Sequence, residues 1–436
     1  MAVSREHIYR EFLRSDGIST DSRGELHNRI FVALEGENFD GNRFVEQALE
    51  KGCRLALTSR KELEGERRIA VVDPLTMLQE LATHHRRQLS VKVLAITGSN
   101  GKTTSKEMIA SILGGKYRTG ATRGNLNNHI GVPLTLLSFK EEEEIVIVEM
   151  GANHPGEIAL LSSIAEPDFG IITNVGKAHL EGFGSLEGVL EAKGELYDYL
   201  AENGGVAIVD GEDRLLVDKA RKAGVKTLLV GRQDSLDVTG TLHSQDPFLE
   251  VDLTLGGHLY TLKTKIVGRY NLQNIRLAAA TGLYFGVPGE SIISALASYT
   301  PVNHRSQLVA GNKNRLIMDA YNANPTSMRL AVESLLDYAR RPLMLILGDM
   351  AELGPEAEKE HRDLVAWLAE LKPGRILLAG DQFSKVAGPF TGDDLRAFRN
   401  TESLGEYLDQ EKPAGYTILL KGSRIMRLEN LIRLLE

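Results

Sequence analysis

The sequence has one cysteine, no long apolar run and little net charge for its 436 residues. The lone cysteine, Cys53, excludes an internal disulfide, which suits a reducing compartment. No stretch approaches the roughly 18 apolar residues of a membrane helix, and the first residues lack the apolar segment of a signal peptide. We therefore expect a cytoplasmic protein that is neither secreted nor inserted into a membrane.

The net charge of −8 argues against a large nucleic-acid footprint, so an anionic ligand has to be held by local lysines, arginines and helix ends. The last third of the chain lacks the G-x-G-x-x-G pattern of a separate dinucleotide site. A hydrophobic fraction of 42% and a charged fraction of 25% are ordinary for a globular protein. A chain of this length is too long to fold around one hydrophobic core, so we expect two or three domains.

Alternating strand and helix patterns predict an α/β protein of three domains, at 1–88, 89–302 and 303–436. The first is a small α/β domain, the central one a mostly parallel sheet of the P-loop type, and the last a Rossmann-like α/β domain. Strands are predicted at 91–97, 145–150, 169–175, 205–209 and 225–230 in the central domain, and at 315–320, 343–347, 375–379 and 416–420 in the last. An antiparallel hairpin is predicted around Gly256-Gly257.

A strand, a glycine turn and a helix follow one another at the start of the central domain, and this order predicts a phosphate site. The turn Gly98-Ser-Asn-Gly101 lets backbone N–H groups approach an anion, and the following helix adds its positive end. The candidate ATP-binding residues are Gly98, Ser99, Asn100, Gly101, Lys102, Thr103 and Thr104. The helix is predicted from Ser105. Ile96 stands where the general pattern has its first glycine, and an incidental turn is the alternative.

Several polar residues follow predicted strands and therefore belong to the edge of the sheet where ligands bind. Glu149 ends an apolar strand and could complete a Mg²⁺ site with Thr103, with a cap or a surface carboxylate as the alternative. His179 follows the strand that contains Ile172, and a polar loop residue is its alternative. Lys193 lies on a predicted helix, where composition alone favours a salt-bridged surface lysine.

Other candidates surround this edge. Asn271 and Asn274 are one helical turn apart and suit either hydrogen bonds to a nucleobase or a helix cap. The pair His304-Arg305 lies where the central and last domains meet, so its arginine could close over phosphates. Asp319 and Lys421 end predicted strands of the last domain, where ordinary loop capping is the alternative. The loops Thr20–Arg23 and Glu35–Gly41 are equally compatible with turns and with binding of a nucleotide head group.

The ordered set of these motifs resembles the Mur ligase family over essentially the whole chain. The motifs that carry the resemblance are Thr97-Gly-Ser-Asn-Gly-Lys-Thr-Thr104, Gly124-Asn-Leu-Asn-Asn-His-Ile-Gly-Val-Pro133, Glu149-Met-Gly-Ala-Asn-His154, Thr173-Asn-Val-Gly-Lys-Ala-His179, Ala192-Lys-Gly-Glu195, Asn271-x-x-Asn274, Asp319-Ala-Tyr-Asn-Ala-Asn-Pro325 and Leu347-Gly-Asp-Met-Ala-Glu-Leu-Gly354. It is closest to the family member that adds D-Ala-D-Ala to UDP-MurNAc-tripeptide with ATP. Two positions depart from the family, namely Asn42, often His, and His304, often Gly or Ser.

The resemblance implies a role for each candidate. It implies ATP, two Mg²⁺ ions and a carbamylated Lys193 as cofactors, and a monomer that binds neither nucleic acid nor a membrane. The implied catalytic residues are Lys102, His179, Lys193 and Arg305, and the implied metal ligands are Thr103, Glu149, His179 and Lys193. The implied ATP contacts are the glycine loop together with Asn271, Asn274, Arg305 and Asp319. The implied substrate contacts are Ser22, Arg23, Asp40, Gly41, Asn127, Asn128, Asn322, Asn324 and Lys421.

Two other functions remain open from the sequence. Another amide-forming ligase, such as a diamino-acid-adding Mur ligase or folylpolyglutamate synthase, would share the ATP site. The diamino-acid ligase usually has an arginine after the proline of an Asp-Asn-Pro-Arg type loop, whereas Thr326 follows Pro325 here. A regulatory protein that hydrolyses ATP slowly would need neither a carboxylate nor an amine substrate.

Overall fold

The structure, a computed structural model, describes residues 5–231, 236–302, 305–338 and 342–436. Its strands form a four-stranded, a nine-stranded, a six-stranded and a small two-stranded sheet in the described residues. Helices cover the larger sheets, so the predicted α/β class is confirmed.

The first sheet is parallel, in the order β1-β2-β5-β6. The elements of this part are α1 (Arg5–Phe12), β1 (Ile18–Ser19), β2 (Ile30–Val32), β3 (Glu35–Gly36), β4 (Phe39–Asp40), α2 (Val45–Glu50), β5 (Leu55–Thr58), β6 (Arg68–Ala70) and α3 (Pro74–Gln88). The start of α3 follows from its sequence, because the Asp73 carboxylate accepts from the Leu75 and Thr76 amides and Pro74 occupies the first turn.

The central sheet has the order β15-β14-β13-β12-β11-β10-β7-β9-β8. Its elements are β7 (Lys92–Thr97), α4 (Lys102–Leu113), β8 (Thr119–Ala121), α5 (Gly131–Leu136), β9 (Ile145–Glu149), α6 (Glu157–Ala165), β10 (Phe169–Ile172), α7 (Leu180–Phe183), α8 (Leu186–Glu202), β11 (Val206–Asp210), α9 (Arg214–Ala223), β12 (Lys226–Gly231), β13 (Leu236–Gln245), β14 (Phe248–Leu255), β15 (His258–Val267), α10 (Asn271–Tyr284) and α11 (Gly289–Ser298). Strand β7 lies between β10 and β9, so the loop after β7 is flanked by the ends of both neighbours.

The add-on to this sheet is larger than the predicted hairpin. The turn at Gly256-Gly257 joins β14 to β15 as predicted, but β13 adds a third strand antiparallel to β14. Strand β13 also pairs in parallel with β12, so the three strands extend the central sheet instead of standing apart from it.

The last sheet has the order β16-β17-β21-β18-β19-β20 and is parallel except for β16. Its elements are β16 (Gln307–Ala310), β17 (Arg315–Asp319), α12 (Pro325–Tyr338), β18 (Leu343–Gly348), α13 (Ala357–Leu371), β19 (Arg375–Ala379), α14 (Asp381–Val386), β20 (Leu395–Phe398), α15 (Thr401–Glu411), β21 (Thr417–Lys421) and α16 (Ile432–Leu435). The edge strands β16 and β20 were not predicted, because both are short and mix polar with apolar residues.

The inner parallel strands of the central and last sheets are buried on both faces, which explains their unbroken apolar sequences. The antiparallel strands β13, β14 and β15 instead alternate buried with more exposed residues. In β7, Val93 and Ala95 belong to one core and Leu94 and Ile96 to another. The first of these cores continues through α3 into the N-terminal sheet, where it includes Ile30. The N-terminal and central sheets therefore share one apolar core.

Several predicted boundaries were wrong by a few residues. Strand β10 ends at Ile172 and not at residue 175, because the Thr173 hydroxyl and the Asn174 amide hydrogen-bond to the glycine loop. Helix α4 begins at Lys102, three residues before the predicted start. The domain boundaries stay predictions, and His304 lies outside the described residues. No helix among the described residues is both long and apolar enough to span a bilayer.

We predict that Asp210→Ala destabilises the protein by about 3 kcal/mol, because it removes one partner of a buried ion pair. Asp210 and Arg276 are 2% and 8% exposed, and their side chains are 2.6 Å apart. The exposed pair Asp218–Arg221 provides the control, since Asp218→Ala should cost about 1 kcal/mol or less. Urea unfolding of both variants measures how far each substitution lowers the free energy of unfolding. Equal losses would contradict the importance of the buried pair.

Candidate active site

The glycine loop has a backbone that only glycine adopts easily. Gly98 and Gly101 have φ angles of +140° and +80°. A β-carbon at Gly98 would overlap the Thr173 hydroxyl, and one at Gly101 would lie 2.6 Å from Oδ1 of Asn274. Both glycines are therefore required by close neighbours as well as by their backbone conformation.

The end of β10 holds the loop by hydrogen bonds. The Ser99 amide donates to the Asn174 carbonyl and the Asn100 amide to the Asn174 side chain, each at 3.0 Å. The Thr173 hydroxyl donates to the Asn100 carbonyl at 2.6 Å. These contacts fix the loop at the carboxyl edge of the sheet before any ligand binds.

Asn271 and Asn274 support the loop from below. Asn271 is the first residue of α10 and makes no capping bond, so the predicted cap is wrong. Its amide donates instead to the Val267 carbonyl at 2.9 Å, and the Asn274 amide donates to Asn271 Oδ1 at 2.9 Å. The Ser105 hydroxyl donates to Asn274 Oδ1 at 3.2 Å, which ties α10 to α4.

Lys102 supplies the positive charge of the loop. Its Nζ donates to the Gly98 carbonyl at 2.6 Å. Burial lowers the pKa of Lys102, and the charge of Arg305 lowers it further, whereas Glu149 raises it. A phosphate that approached this ammonium group would favour its charged form.

Glu149 lies at the end of β9 beside the loop and is 2% exposed. Its Oε2 accepts from the Thr103 hydroxyl at 2.8 Å, and its Oε1 accepts from the Asn127 amide at 2.8 Å. Lys106 Nζ lies 3.4 Å from Oε2. The alternatives of a cap or a surface carboxylate are wrong, because this carboxylate is buried and shared by three side chains.

Thr103 and Glu149 fit a hard cation such as Mg²⁺, which prefers oxygen ligands and keeps waters or substrate oxygens in its shell. Within the described ranges, no cluster of three or more His, Cys, Asp or Glu side chains could hold a metal ion by itself. A metal at this position therefore requires oxygens from a hydroxyl, a ligand or a modified side chain.

Lys193 is buried and not on the surface, so the surface alternative is wrong. It is 1% exposed, and its Nζ donates to the Ala152 carbonyl at 3.2 Å. The ring of Phe183 lies 5.2 Å from Nζ. Among the described residues, two carboxylates raise the pKa of Lys193 without forming an ion pair with it. Burial lowers the pKa of Lys193 to about 7, with a further contribution from the charge of Lys102.

His179 faces the last domain. Its Nδ1 lies 2.8 Å from Oε2 of Glu352, which belongs to the loop after β18. The close approach of His179 lowers the pKa of Glu352. This contact brings a predicted metal ligand of the central domain against a carboxylate that the sequence did not single out.

The last domain closes the third side of the cleft. Asn324 donates its amide to Asn100 Oδ1 at 2.8 Å, so the last domain contacts the glycine loop directly. Lys421 Nζ donates to the Asp319 carboxylate at 2.6 Å and to the Asn322 carbonyl at 3.3 Å. The positive charge of Lys421 is therefore already paired within its own domain.

Arg305 stacks on an aromatic ring. Its guanidinium lies 3.5 Å from the ring centroid of Tyr321, and that of Arg424 lies 5.5 Å from the same centroid. The Nε of Arg305 has no hydrogen-bond partner among the described residues. Two cations thus share one ring at the edge of the cleft, where an anion would be stabilised.

These elements enclose a cavity of about 930 Å³. Predicted residues that line it include Ser99, Asn100, Gly101, Lys102, Thr103, Thr104, Asn127, Asn128, Glu149, His179, Asn271, Asn274, Arg305, Asp319, Asn322, Asn324 and Lys421. Asn128 precedes α5, and its Oδ1 accepts from the Gly131 amide at the start of that helix at 2.8 Å.

The predicted N-terminal contacts lie apart from this cavity. Ser22, Arg23, Asp40 and Gly41 are not among its lining residues. The exposed Arg23 donates to the Asp21 carboxylate at 2.9 Å, which lowers the pKa of Asp21 to about 2. These residues would meet a ligand only if it extended well beyond the cavity.

Asn42, which departs from the family, organises one N-terminal loop. It is 4% exposed, and its amide donates to Glu35 Oε1 at 2.6 Å and to the Ser59 hydroxyl at 2.9 Å. Its amide also donates to Asp40 Oδ1 at 3.0 Å. The side chain thus orders a loop that contains a predicted substrate contact.

Sequence reasoning missed several charged residues of the site, among them Lys106 and Glu352. Lys106 follows Lys102 by one turn of α4, so helical spacing alone could have indicated that it shares that face. Glu352 lies in a motif that was quoted, but only tertiary packing brings it to His179.

Family comparisons cover most of the chain. Residues 14–86 match the description "Mur ligase family, catalytic domain", residues 96–282 "Mur ligase middle domain", and residues 304–424 "Mur ligase, glutamate ligase domain". The three matches follow the order of the three larger sheets.

Individual proteins are similar over nearly their full length. The UDP-N-acetylmuramoyl-tripeptide–D-alanyl-D-alanine ligase of Bacillus subtilis is 37% identical over 428 residues, which cover 96% of this chain and 92% of the relative. The crystal structure of MurF from Acinetobacter baumannii has a TM-score of 0.87 at 33% identity and covers 98% of both chains. MurF from Thermotoga maritima in complex with ADP has a TM-score of 0.84 at 27% identity and covers 97% of both.

We predict that Glu149→Gln raises the Mg²⁺ concentration needed for nucleotide binding by about tenfold or more, because it replaces a charged metal ligand with a neutral one of equal size. Glu144→Gln provides the control, since Glu144 is an exposed carboxylate just before the same strand. Calorimetric titration of ATP at several Mg²⁺ concentrations measures the change. A Mg²⁺ dependence equal to that of the unmodified protein would show that Glu149 is not a ligand.

Proposed function

This chain belongs to the Mur ligase family, and from that premise we propose that it joins D-Ala-D-Ala to UDP-MurNAc-tripeptide with ATP, forming ADP and phosphate. The product is a precursor of peptidoglycan. The observation that carries the proposal is the cleft in which the glycine loop, Glu149 and the strand ends of the last domain converge.

ATP is the phosphate donor. The glycine loop supplies backbone amides and Lys102, and the neighbouring Asn271 and Asn274 line the same cavity. The structurally similar MurF from Thermotoga maritima binds ADP, which supports a nucleotide in this position. Asp319 and Arg305 approach from the last domain, so they complete the ATP site only when that domain is docked.

The reaction proceeds in two displacements. An oxygen of the terminal carboxylate of the tripeptide attacks the γ-phosphorus of ATP, and the bond to the bridging oxygen breaks, which gives an acyl phosphate and ADP. The amine of D-Ala-D-Ala then attacks the acyl carbon, phosphate leaves, and the amine releases a proton. Lys102 and Arg305 stabilise the charge that develops on the transferred phosphoryl group. No nucleophilic side chain is required.

Mg²⁺ would be held by Thr103 and Glu149 at one position and by His179 and a carbamylated Lys193 at another. Bound there, it would neutralise charge on the phosphate oxygens and on the leaving group. Thr103 and Glu149 are already within hydrogen-bond distance of each other, which supports a shared ligand.

Carbamylation of Lys193 explains why a lysine is buried without an acidic partner. The neutral amine attacks CO₂, forming an N–C bond and releasing a proton, and the carbamate oxygens can bind Mg²⁺. With a pKa of about 7, much of Lys193 is neutral at neutral pH, and the neutral fraction rises as the pH increases. Lys193 is buried beside Ala152 and Phe183, where an unpaired ammonium group is costly. A carbamate bound to a metal ion would remove that cost, which supports this assignment.

The peptide substrates span the domains. We assign the UDP part to the N-terminal domain, near Ser22, Arg23, Asp40 and Gly41. Asn127 and Asn128 are assigned to the peptide of the precursor. For the dipeptide we assign contacts with Asn322, Asn324 and Lys421, although Lys421 is paired with Asp319 and offers little free charge.

The other ligases are not favoured. Full-length relatives at 31% to 37% identity are D-alanyl-D-alanine-adding ligases. A slow regulatory ATPase would not need the cations and amides of the last domain to reach the glycine loop, as Asn324 does.

We predict that ADP release requires both UDP-MurNAc-tripeptide and D-Ala-D-Ala, because the acyl phosphate cannot turn over without an amine. Coupled assay of ADP and mass spectrometry of the product measure this, and the product should be heavier than the precursor by two alanine residues. ATP hydrolysis at the same rate without either substrate would exclude a ligase.

We predict that Lys193→Ala loses activity and that acetate restores part of it, because acetate can supply the missing carboxylate-like oxygens. Lys222→Ala provides the control, since Lys222 is an exposed lysine of the neighbouring α9. Initial rates are measured with and without added acetate, and with acetate added to the control. Full activity of Lys193→Ala without acetate would make Lys193 dispensable and exclude the carbamate.

A further inference from the structure

His179 and Glu352 form a contact between the central and last domains. Their Nδ1 and Oε2 atoms are 2.8 Å apart, and the side chain of His179 is 17% exposed. Glu352 belongs to the loop that follows β18, and His179 immediately precedes α7. The mechanism above uses His179 and leaves Glu352 without a role.

The backbones on either side of this contact are fitted to each other. The Glu181 amide donates to the Glu352 carbonyl at 3.2 Å. A β-carbon at Gly354 would lie 3.0 Å from the β-carbon of Glu181, closer than most real contacts allow. The two loops therefore approach as closely as a residue without a side chain permits.

Both partners have an unusual backbone. His179 has a φ of +52° and Glu352 a φ of +62°, in the left-handed region that non-glycine residues rarely adopt. Such conformations cost of order 1 kcal/mol or more and persist where the surroundings require them. Two of them face each other here, one in each domain.

A carboxylate on one imidazole nitrogen determines what the other nitrogen can do. Histidines that bind metals usually donate their second N–H to a carboxylate or carbonyl, which fixes the tautomer and the ring orientation. The Glu352 carboxylate lies 2.8 Å from Nδ1, so its negative charge favours the tautomer with the proton on that nitrogen and leaves the lone pair on Nε2. His179 lines the same cavity as the glycine loop.

We propose that Glu352 is a positioning residue that couples docking of the last domain to the second metal position. When the domain docks, its carboxylate comes to lie beside Nδ1 of His179, favours the proton on that nitrogen and leaves Nε2 available to a metal ion. The inference rests on the proposed function, because it requires a metal at His179. This coupling would prevent phosphate transfer before the last domain docks, because the second metal position is complete only when that domain is in place.

A second ion pair between the same domains provides a matched control. Lys177 Nζ and Glu360 Oε1 are 2.5 Å apart, and Glu360 is 5% exposed. Glu360→Gln weakens an interdomain contact without touching His179. Any effect that Glu352 has only as a structural link should therefore appear in Glu360→Gln as well.

The test is a Mn²⁺ titration followed by electron paramagnetic resonance, with β,γ-imido-ATP and UDP-MurNAc-tripeptide bound to the full chain. The unmodified protein should bind two Mn²⁺ ions. Glu352→Ala should weaken the second ion about 10- to 100-fold and leave the first unchanged. Glu352→Gln, which keeps an oxygen beside Nδ1 but loses the negative charge, should weaken it less, and Glu360→Gln should change it less than about twofold. Thermal unfolding checks that all variants are folded.

A double variant decides whether Glu352 acts through His179. In a His179→Ala background, Glu352→Ala should add no further loss of Mn²⁺ affinity, because the side chain that it orients is gone. An additional loss as large as in the unmodified background would overturn the proposal. Equal Mn²⁺ binding by Glu352→Ala and the unmodified protein would also overturn it. If the unmodified protein bound only one Mn²⁺ ion, the second metal of the proposed function would fail together with this inference.

Discussion

The mutual effect of two lysines, the partly buried Lys102 of the cleft and the fully buried Lys193, is the constraint on which this site depends. Burial lowers the pKa of both Lys102 and Lys193, and the charge of Lys102 lowers that of Lys193 further. The cleft of a protein with a net charge of −8 contains the cations Lys102 and Arg305. In the proposed reaction a polyphosphate would offset the cost at Lys102, and a carbamate would remove the positive charge at Lys193.

The strand order explains how the groups meet. Because β7 lies between β9 and β10, its glycine loop has Glu149 on one side and Asn174 on the other. The last domain has its own parallel sheet, whose strand ends bring Asp319 and Lys421 together in register. Packing one sheet edge against the other makes a cleft from residues about two hundred positions apart, and Asn324 on Asn100 joins the two edges directly.

The sequence predicted the parts of this site that depend on local order. The glycine loop, Glu149 at a strand end and the α/β class follow from short patterns. Burial of Lys193 could not be predicted, because it arises from packing against Phe183 and Ala152, and composition favoured the surface. Asn271 was predicted as a possible cap, yet the helix begins with it and its amide goes to Val267. Glu352 depends on contact between domains, which no local pattern encodes.

The central claim is that this cleft activates a carboxylate by phosphorylating it. The most direct measurement uses UDP-MurNAc-tripeptide labelled with ¹⁸O in its terminal carboxylate, together with ATP, Mg²⁺ and D-Ala-D-Ala. The account predicts that one ¹⁸O atom per turnover appears in inorganic phosphate, because the carboxylate oxygen that attacks the γ-phosphorus leaves with the phosphate. Phosphate that contains no ¹⁸O while the amide product still forms would contradict the account.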